Sequence, residues 1–398
     1  MPFGHIPTSK HRQSEAVAQT RDAGGRPRLL YLALFDPTNT ANGTCARGRA
    51  VLRVLKAHFE ISLVFLQGQH VTREDKEAVS GLASRDPVKF TRAGYFGFSP
   101  ALYSAAKRAI VRHKPAVIFA DLEKAGVYAW PLARKFGIPF VYSSHNVEYQ
   151  RFVNLAKTNI LRLAFVPWLY LAELLSLKKA AATIAISSTD AETFRRMAPR
   201  ASIHALPLSF DEDVFNPHDL GQTDLPPVVL MVGNLRYPPN RESAQRLLKH
   251  VVPAVASQIP QVVFRFVGDG FPAGLAGPNV EVAGFVNDLP AEYRRAAVVV
   301  VPIEMGGGLK IKAIEALACG RSLVATPKGM EGIEHEGLDL VQVGPLAQFP
   351  AMIIDALRGA TATSRNWERV RAAYGAQSQS ARLADILRGA IPLTATID

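Results

Sequence analysis

Val298-Val-Val-Val301 followed by Pro302 is an apolar run too short for a helix and suited to a strand buried on both faces. Gly306, Gly307 and Gly308 come next. Ile311, Ile314, Leu317 and Ala318 then recur at the spacing of one helix face, until Gly320 stops the pattern. Strand, glycine loop and helix N-terminus, in that order, are the parts from which an α/β protein builds an anion site. The unpaired N–H groups and the positive helix end favour a phosphate, and glycine lets the backbone approach it. Lys310 and Lys312 add positive charge in the first turn, where the helix dipole disfavours it. Glu315 follows Lys312 by three residues on the same side, where a carboxylate can accept hydrogen bonds from sugar hydroxyls. As an isolated fragment, the stretch reads first as a solvated Lys/Glu pair on an ordinary helix. The flanking chain changes that reading.

Upstream, strand and helix patterns alternate. Strands are expected at Leu29–Leu34, Ile61–Leu66, Ala116–Ala120, Pro139–Tyr142, Thr183–Ile186 and Ile203–Leu206, with helices at about 44–58, 100–113 and 122–136. Residues 70–97 are polar and carry no clear pattern. Ser209–Pro227, rich in Asp, Pro and Gly, reads as a linker. The alternation then restarts with Val228–Val232, a helix over about 241–258, Val262–Val267 and Ser322–Thr326, and ends with two helices. The expected architecture is α/β: two doubly wound Rossmann-like domains, 29–208 and 228–370, facing a cleft. A tail at 1–28 precedes them, and 371–398 supplies a C-terminal helix packing back on the first domain. His145, in Ser143-Ser-His-Asn-Val-Glu148, lies at the carboxyl edge of the first sheet, where such folds place ligands.

A chain of 398 residues with 48% apolar residues can fill two cores. Cys45 and Cys319 lie far apart without metal-ligand spacing, and the first residues lack the apolar centre of a signal peptide, so a cytoplasmic protein is expected. Residues 1–222 hold 29 Lys and Arg against 18 Asp and Glu, a net of +11, while the remainder is nearly neutral. A basic half fits an anionic partner, nucleic acid or a membrane surface, and equally fits a merely soluble basic surface. Residues 152–179 form one long helical stretch that Pro167 should kink or break. Its apolar centre, Leu163–Ala172, reads as too short to span a bilayer, and a core helix is the first reading. A membrane-surface helix, with Trp168 and Tyr170 at headgroup level and Lys178 and Lys179 beside them, is the alternative.

Several short pieces, in order, resemble the family 4 retaining glycosyltransferases, which have the GT-B fold. In the second half these are Val232-Gly233…Pro239-Asn240, Val267-Gly-Asp-Gly270, Gly284-Phe-Val286 with Asp288, Gly306-Gly-Gly308, Lys312-Ala-Ile-Glu315 through Gly320, and Thr326…Gly332. In the first half, His145-Asn-Val-Glu148, Ala185-Ile-Ser187 with Asp190, and Leu206–Asp211 with Phe215-Asn-Pro217 also fit. The family's E-x7-E pattern is half present: Glu315 matches the second glutamate, which holds the ribose hydroxyls, and Gly307 stands where the first would fall. The resemblance therefore implies that backbone N–H groups of Gly307 and Gly308, rather than a carboxylate, hold the donor-sugar hydroxyls. The family's basic pair is also missing. Asn234 stands for the Arg, and Pro239 or Asn240 for the Lys, which leaves the diphosphate to Lys310, Lys312 and Arg236. The resemblance further places His145 against the donor sugar, Asn42 and Gly43 on the acceptor and phosphate side, and Gly284, Phe285 and Val286 along the nucleotide base.

What the resemblance implies is transfer of a sugar from a UDP- or GDP-linked donor to a carbohydrate or lipid-linked acceptor, with retention and without metal or cofactor. His145, Lys312 and Glu315 are the catalytic candidates. No D-x-D motif ends a strand and no histidines cluster. A nucleotide-sugar epimerase would share the architecture. A dehydrogenase would need G-x-G-x-x-G after a first strand, which neither half has. A nucleic-acid-binding protein would explain the basic half, but no aromatic and basic platform accompanies it.

Overall fold

The computed structural model describes residues 20–22, 25–38, 43–67, 76–89, 98–122, 124–156, 160–207, 210–218, 226–271, 276–306 and 308–392. Most of the expected tail, Asn42 and Gly307 lie outside them. Two parallel sheets organise the rest. The first contains β1 (Arg28–Ala33), β2 (Glu60–Gln67), β3 (Ser84–Lys89), β4 (Val117–Asp121), β5 (Phe140–Ser143), β6 (Ala182–Ala185) and β7 (Ile203–Ala205), in the order β3-β2-β1-β4-β5-β6-β7. The second contains β8 (Val228–Val232), β9 (Val263–Val267), β10 (Val280–Gly284), β11 (Val298–Val301), β12 (Ser322–Ala325) and β13 (Val341–Val343), in the order β10-β9-β8-β11-β12-β13.

Each sheet has apolar clusters on both faces, which is why its central strands are uninterrupted apolar runs. Each order also reverses beside its first strand, between β1 and β4 and between β8 and β11. The carboxyl ends of strands flanking such a reversal open a crevice that helices on the two faces leave uncovered. β3 was hidden in the unassigned stretch because it is an edge strand, Ser-Arg-Asp-Pro-Val-Lys, whose residues are only half-buried and need no apolar run.

The segment between the sheets is anchored where composition suggested only a linker. Phe210 is buried and its carbonyl accepts from Ala376 N, while Glu212 accepts the N–H groups of Gln377 and Ser378, both at 2.8 Å. From there the helix Ser380–Ala390 packs on the first sheet, with Leu383, Ala384 and Leu387 in the same cluster as Leu29, Tyr31 and Leu63.

The expected helix over 241–258 is interrupted. Pro238–Arg246 passes through a π-helical turn, Leu247–Val251, into Val252–Ala256, because Pro253 has no N–H to continue the ladder. The expected long helix at 152–179 is likewise several pieces: Glu148–Leu155, a 3-10 segment Ile160–Phe165, and Val166–Lys179. The last of these breaks falls beside Pro167, as expected: the proline sits in the first turn of the last piece, where its missing N–H costs nothing. Ile160–Lys179 is also a continuous 20-residue helical segment, long and apolar enough by length and composition to cross a membrane, contrary to the shorter run expected. The core reading of Leu163–Ala172 holds in part: the 3-10 piece has no buried residue, whereas Leu169 and Ala172 of the last piece are buried.

Candidate active site

The crevice of the second sheet is built by close backbone approach. Gly233 follows β8 and donates to Val267 O at 2.9 Å; Gly268 donates to Gly284 O at 2.8 Å. Gly268 has φ +137°, and a Cβ there would lie 2.1 Å from Gly233 O, so only glycine lets the two loops meet. Lys312, in the first turn of the helix Ile311–Ala318, reaches back over Gly233 and donates from Nζ to Asn240 Oδ1 at 2.8 Å. Asn240 Nδ2 donates to Asn234 O at 2.9 Å. Asn240, one of the two residues expected where the family has its lysine, thus presents a lysine supplied by the helix that follows β11.

One turn on, Glu315 Oε2 accepts from the hydroxyl of Tyr293, at 2.7 Å, and Tyr293 is wholly buried. Burial pushes the Glu315 carboxyl up to about 7, against the pull of Tyr293 and Lys312. Burial pushes Lys312 down to about 8, and repulsion from Lys310 adds to it. Lys310, at the cap of the same helix, is buried too; its ammonium bonds Gly308 O, lies 3.9 Å from Glu331, and is pushed down to about 8 chiefly by burial. Two lysines near their titration point, at a helix N-terminus, form a site whose charge an anion would complete.

The glycine loop touches the first domain. Gly306 (φ +98°) and Gly308 (φ +76°) both need the left-handed region. A Cβ at Gly306 would lie 2.9 Å from the Tyr237 hydroxyl, and one at Gly308 only 2.1 Å from Asn146 Oδ1 and 3.6 Å from His145 O. Tyr237, from the loop after β8, is hydrogen-bonded by Arg151 of the helix Glu148–Leu155, which also pairs with Glu148. Asp190, in the first-domain helix Ser188–Met197, feels both Lys310 and Glu331; burial, then Glu331, push its carboxyl up to about 6. The loops following β5 and β11 therefore meet.

Behind that contact lies a buried polar group on the first sheet. Asp121, ending β4, accepts from the Tyr31 hydroxyl at 2.6 Å and from His145 Nε2 at 2.9 Å. Burial alone would raise Asp121, but His145 and the two hydrogen bonds outweigh it, and the group stays below the usual carboxylate range. Since an ionised carboxylate only accepts, the His145 proton sits on Nε2 and Nδ1 is the ring's acceptor when the imidazole is neutral. Phe35 packs edge-on against the ring at 5.5 Å. Arg47, from the helix Gly43–Lys56, is buried and feels Asp121, Tyr31 and Asp190; burial lowers it from the ordinary arginine value.

Among the other expected residues, Gly43 opens that helix. Arg236 does not join the lysines: its guanidinium is 70% exposed and pairs with Asp269 at 3.2 Å, at a turn where its N–H bonds Asn234 Oδ1. Gly284 (φ +66°) ends β10, Phe285 is exposed, and Val286 packs on the core beneath the glycine-loop helix. Sequence reasoning missed Asn146, Tyr237, Tyr293, Asp121 and Arg47. Only Arg47 carried a signal: it falls four residues before Val51, on the buried stripe of its helix, where a charge needs a partner.

Two parallel-sheet domains with their reversal crevices in contact define the GT-B class of glycosyltransferase folds. The family description "Glycosyltransferase Family 4" matches residues 49–214, and "Glycosyl transferases group 1" matches 226–359. One match lies on each sheet, and together they support a glycosyltransferase of the family 4 and group 1 kind. Solved structures agree in fold. Sucrose-phosphate synthase from Thermosynechococcus elongatus superposes with a TM-score of 0.69 at 19% identity, over 91% of this chain and 98% of that one. Anabaena HepE in complex with UDP gives 0.66 at 18%, over 91% and 100%. WaaG, a glycosyltransferase involved in lipopolysaccharide biosynthesis, gives 0.65 at 15%, over 91% and 100%. A search of curated protein sequences finds no match.

Proposed function

We propose that the protein transfers a hexosyl group from a nucleoside-diphosphate sugar to a carbohydrate or lipid-linked acceptor, with retention at the anomeric carbon, in the building of a cell-surface polysaccharide or glycoconjugate at the cytoplasmic side. One observation carries this reading: the helix bearing Lys312 and Glu315 opens from a glycine loop that abuts His145 and Asn146. Donor diphosphate and acceptor crevice thereby share one boundary. The UDP bound by HepE favours a uridine donor.

In this scheme Glu315 accepts hydrogen bonds from the ribose, and the N–H groups of the glycine loop hold the sugar. As the bond from C1 to the β-phosphate oxygen breaks, negative charge grows on the leaving diphosphate. Lys310, Lys312 and the helix N-terminus stabilise it where it develops. The acceptor oxygen bonds C1 from the face the phosphate leaves, and its proton passes to a phosphate oxygen. No step calls on an enzymic nucleophile or a metal ion. His145, held by Asp121, orients the sugar with Nδ1.

The test is mass spectrometry of turnover with a panel of UDP-, GDP- and other nucleotide sugars, with and without oligosaccharide and lipid-linked acceptors. Acceptor-dependent release of nucleoside diphosphate with an unchanged anomer supports the reading. Interconversion of donor sugars without acceptor would instead make the protein an epimerase of this fold.

A further inference from the structure

The helical segment 160–179 has two unlike sides. Leu169, Ala172, Glu173, Ser176 and Leu177 are buried, and Glu173 accepts the backbone N–H groups of Glu148 and Tyr149 at 2.7 and 3.1 Å. The other side faces out. Ile160 is 72% exposed, Leu161 74% and Leu171 58%, with Leu163, Phe165 and Trp168 exposed between them. Eight of the twelve large apolar side chains exposed among the described residues fall within 153–171, so this is a patch and not the scatter normal to a surface. Along the helix, Trp168, Leu171, Leu175 and Lys178 follow one stripe at i, i+3, i+7 and i+10. The stripe runs from apolar to basic. Exposed Lys178 and Lys179 end it, and Lys179 Nζ lies 5.7 Å over Trp130, which shares a shallow concavity with Arg134 and Lys135. Glu173, the segment's single acid, is turned inward.

We infer that this face docks the protein on an anionic lipid bilayer, the helix lying in the plane of the interface with the exposed side chains of Ile160, Leu161, Leu163, Phe165, Trp168 and Leu171 towards the acyl chains and the basic end against the headgroups. The segment does not span, because crossing would pull Glu173 away from the N–H groups it serves and bury it in hydrocarbon. The patch adjoins the cleft: Arg162 acts electrostatically on Tyr237, whose hydroxyl sits against Gly306. Docking therefore sets the cleft mouth at the membrane surface, where the sugar end of a lipid-linked acceptor lies. This choice of acceptor rests on the glycosyltransferase reading; the docking itself does not.

Co-sedimentation of the full chain with phosphatidylcholine vesicles containing increasing phosphatidylglycerol tests it. Binding is expected to rise with anionic lipid and to fall with salt. Replacing Ile160, Leu161 and Leu171 together by serine should weaken it on the order of 100-fold or more. Lys178→Glu with Lys179→Glu should weaken it on the order of 10-fold or more. Calorimetry with UDP and GDP on each variant reports the fold and the donor site separately. Nucleotide binding without vesicle binding by the unaltered protein would overturn docking and leave the transferase reading intact. So would vesicle binding unchanged by the serine variant. A dimer in the ultracentrifuge that the serine variant abolishes, with no lipid binding, would overturn it in favour of a second copy on this face.

Discussion

Lys312 Nζ donates to Asn240 Oδ1 at 2.8 Å, joining the helices that follow the adjacent central strands β8 and β11. The bond fixes a flexible side chain over Gly233, so its ammonium needs little reorganisation when charge appears nearby. Lys312→Met is expected to lower kcat by ~10²-fold while changing donor affinity less, because the charge it meets grows towards the transition state. Asn240→Ala should cost about 10-fold in kcat/KM, and little further in the Lys312→Met background, since the two act as one unit. Steady-state kinetics with the true donor measure both. Equal losses in kcat and affinity would mean that Lys312 binds uniformly.

Burial pushes both Lys310 and Lys312 down to about 8, and a bound diphosphate requires their charged forms. Affinity for UDP or GDP is therefore full below that pH and declines as pH rises through it. Binding at pH about 8.5 should take up protons. Calorimetry in two buffers of different ionisation enthalpy reads the uptake directly, and Lys312→Met should reduce it. Absence of uptake would remove both lysines from the diphosphate site.

Glu315→Ala is expected to weaken nucleoside diphosphate binding by ~1.5–3 kcal/mol, the worth of hydrogen bonds to a charged acceptor. Because burial holds the group near 7, the ionised acceptor is lost as pH falls through that value, and affinity should fall with it. The alanine variant should lose this acid limb. Unchanged calorimetric affinity in a folded variant would reduce Glu315 to a partner of Tyr293.

Gly308→Ala should impair turnover for two separable reasons: φ of +76°, and Asn146 Oδ1 at 2.1 Å from the new Cβ. The backbone share is ~1–2 kcal/mol. Asn146→Ala in the same chain removes the clash and leaves the strain, so it should restore part of the stability in urea unfolding. No restoration would mean that the loops after β5 and β11 are not in contact in solution.

Asp121→Ala leaves the Tyr31 hydroxyl, His145 and Arg47 without their shared carboxylate and should cost ~3–5 kcal/mol of stability. The native carboxyl is held below its ordinary value of 3.8. Its stabilisation is thus present above that pH and lost as pH falls through the lower native value. Asp121→Asn should flatten this acid limb of the stability curve. An unaltered limb would assign it to other carboxylates.

Much of this protein was legible in its pattern. Apolar runs such as Val298–Val301, alternating with helical periodicity, called for two doubly wound units, and the glycines at 306–308 before Lys312 and Glu315 marked the loop and helix that follow β11. Strand existence and helix faces follow from spacing along the chain, because they depend on neighbours a few residues away. The edge strand β3 escaped because its residues are half-buried. The core reading of Leu163–Ala172 holds at Leu169 and Ala172 and not before Val166, because composition does not say which side of an apolar helix finds a partner.

By itself, then, the sequence determined the α/β class, the glycine loop and the charged helix that follows it. Only the tertiary structure decided that Asn240 presents Lys312, that Tyr293 serves Glu315, that Asp121 holds His145, and that Arg236 is turned to Asp269. It also decided that Asn146 closes on Gly308. The physical reason is range. Periodicity records what each residue does within its own element, whereas these contacts join residues 22 to 162 positions apart along the chain and are set by strand order and loop approach.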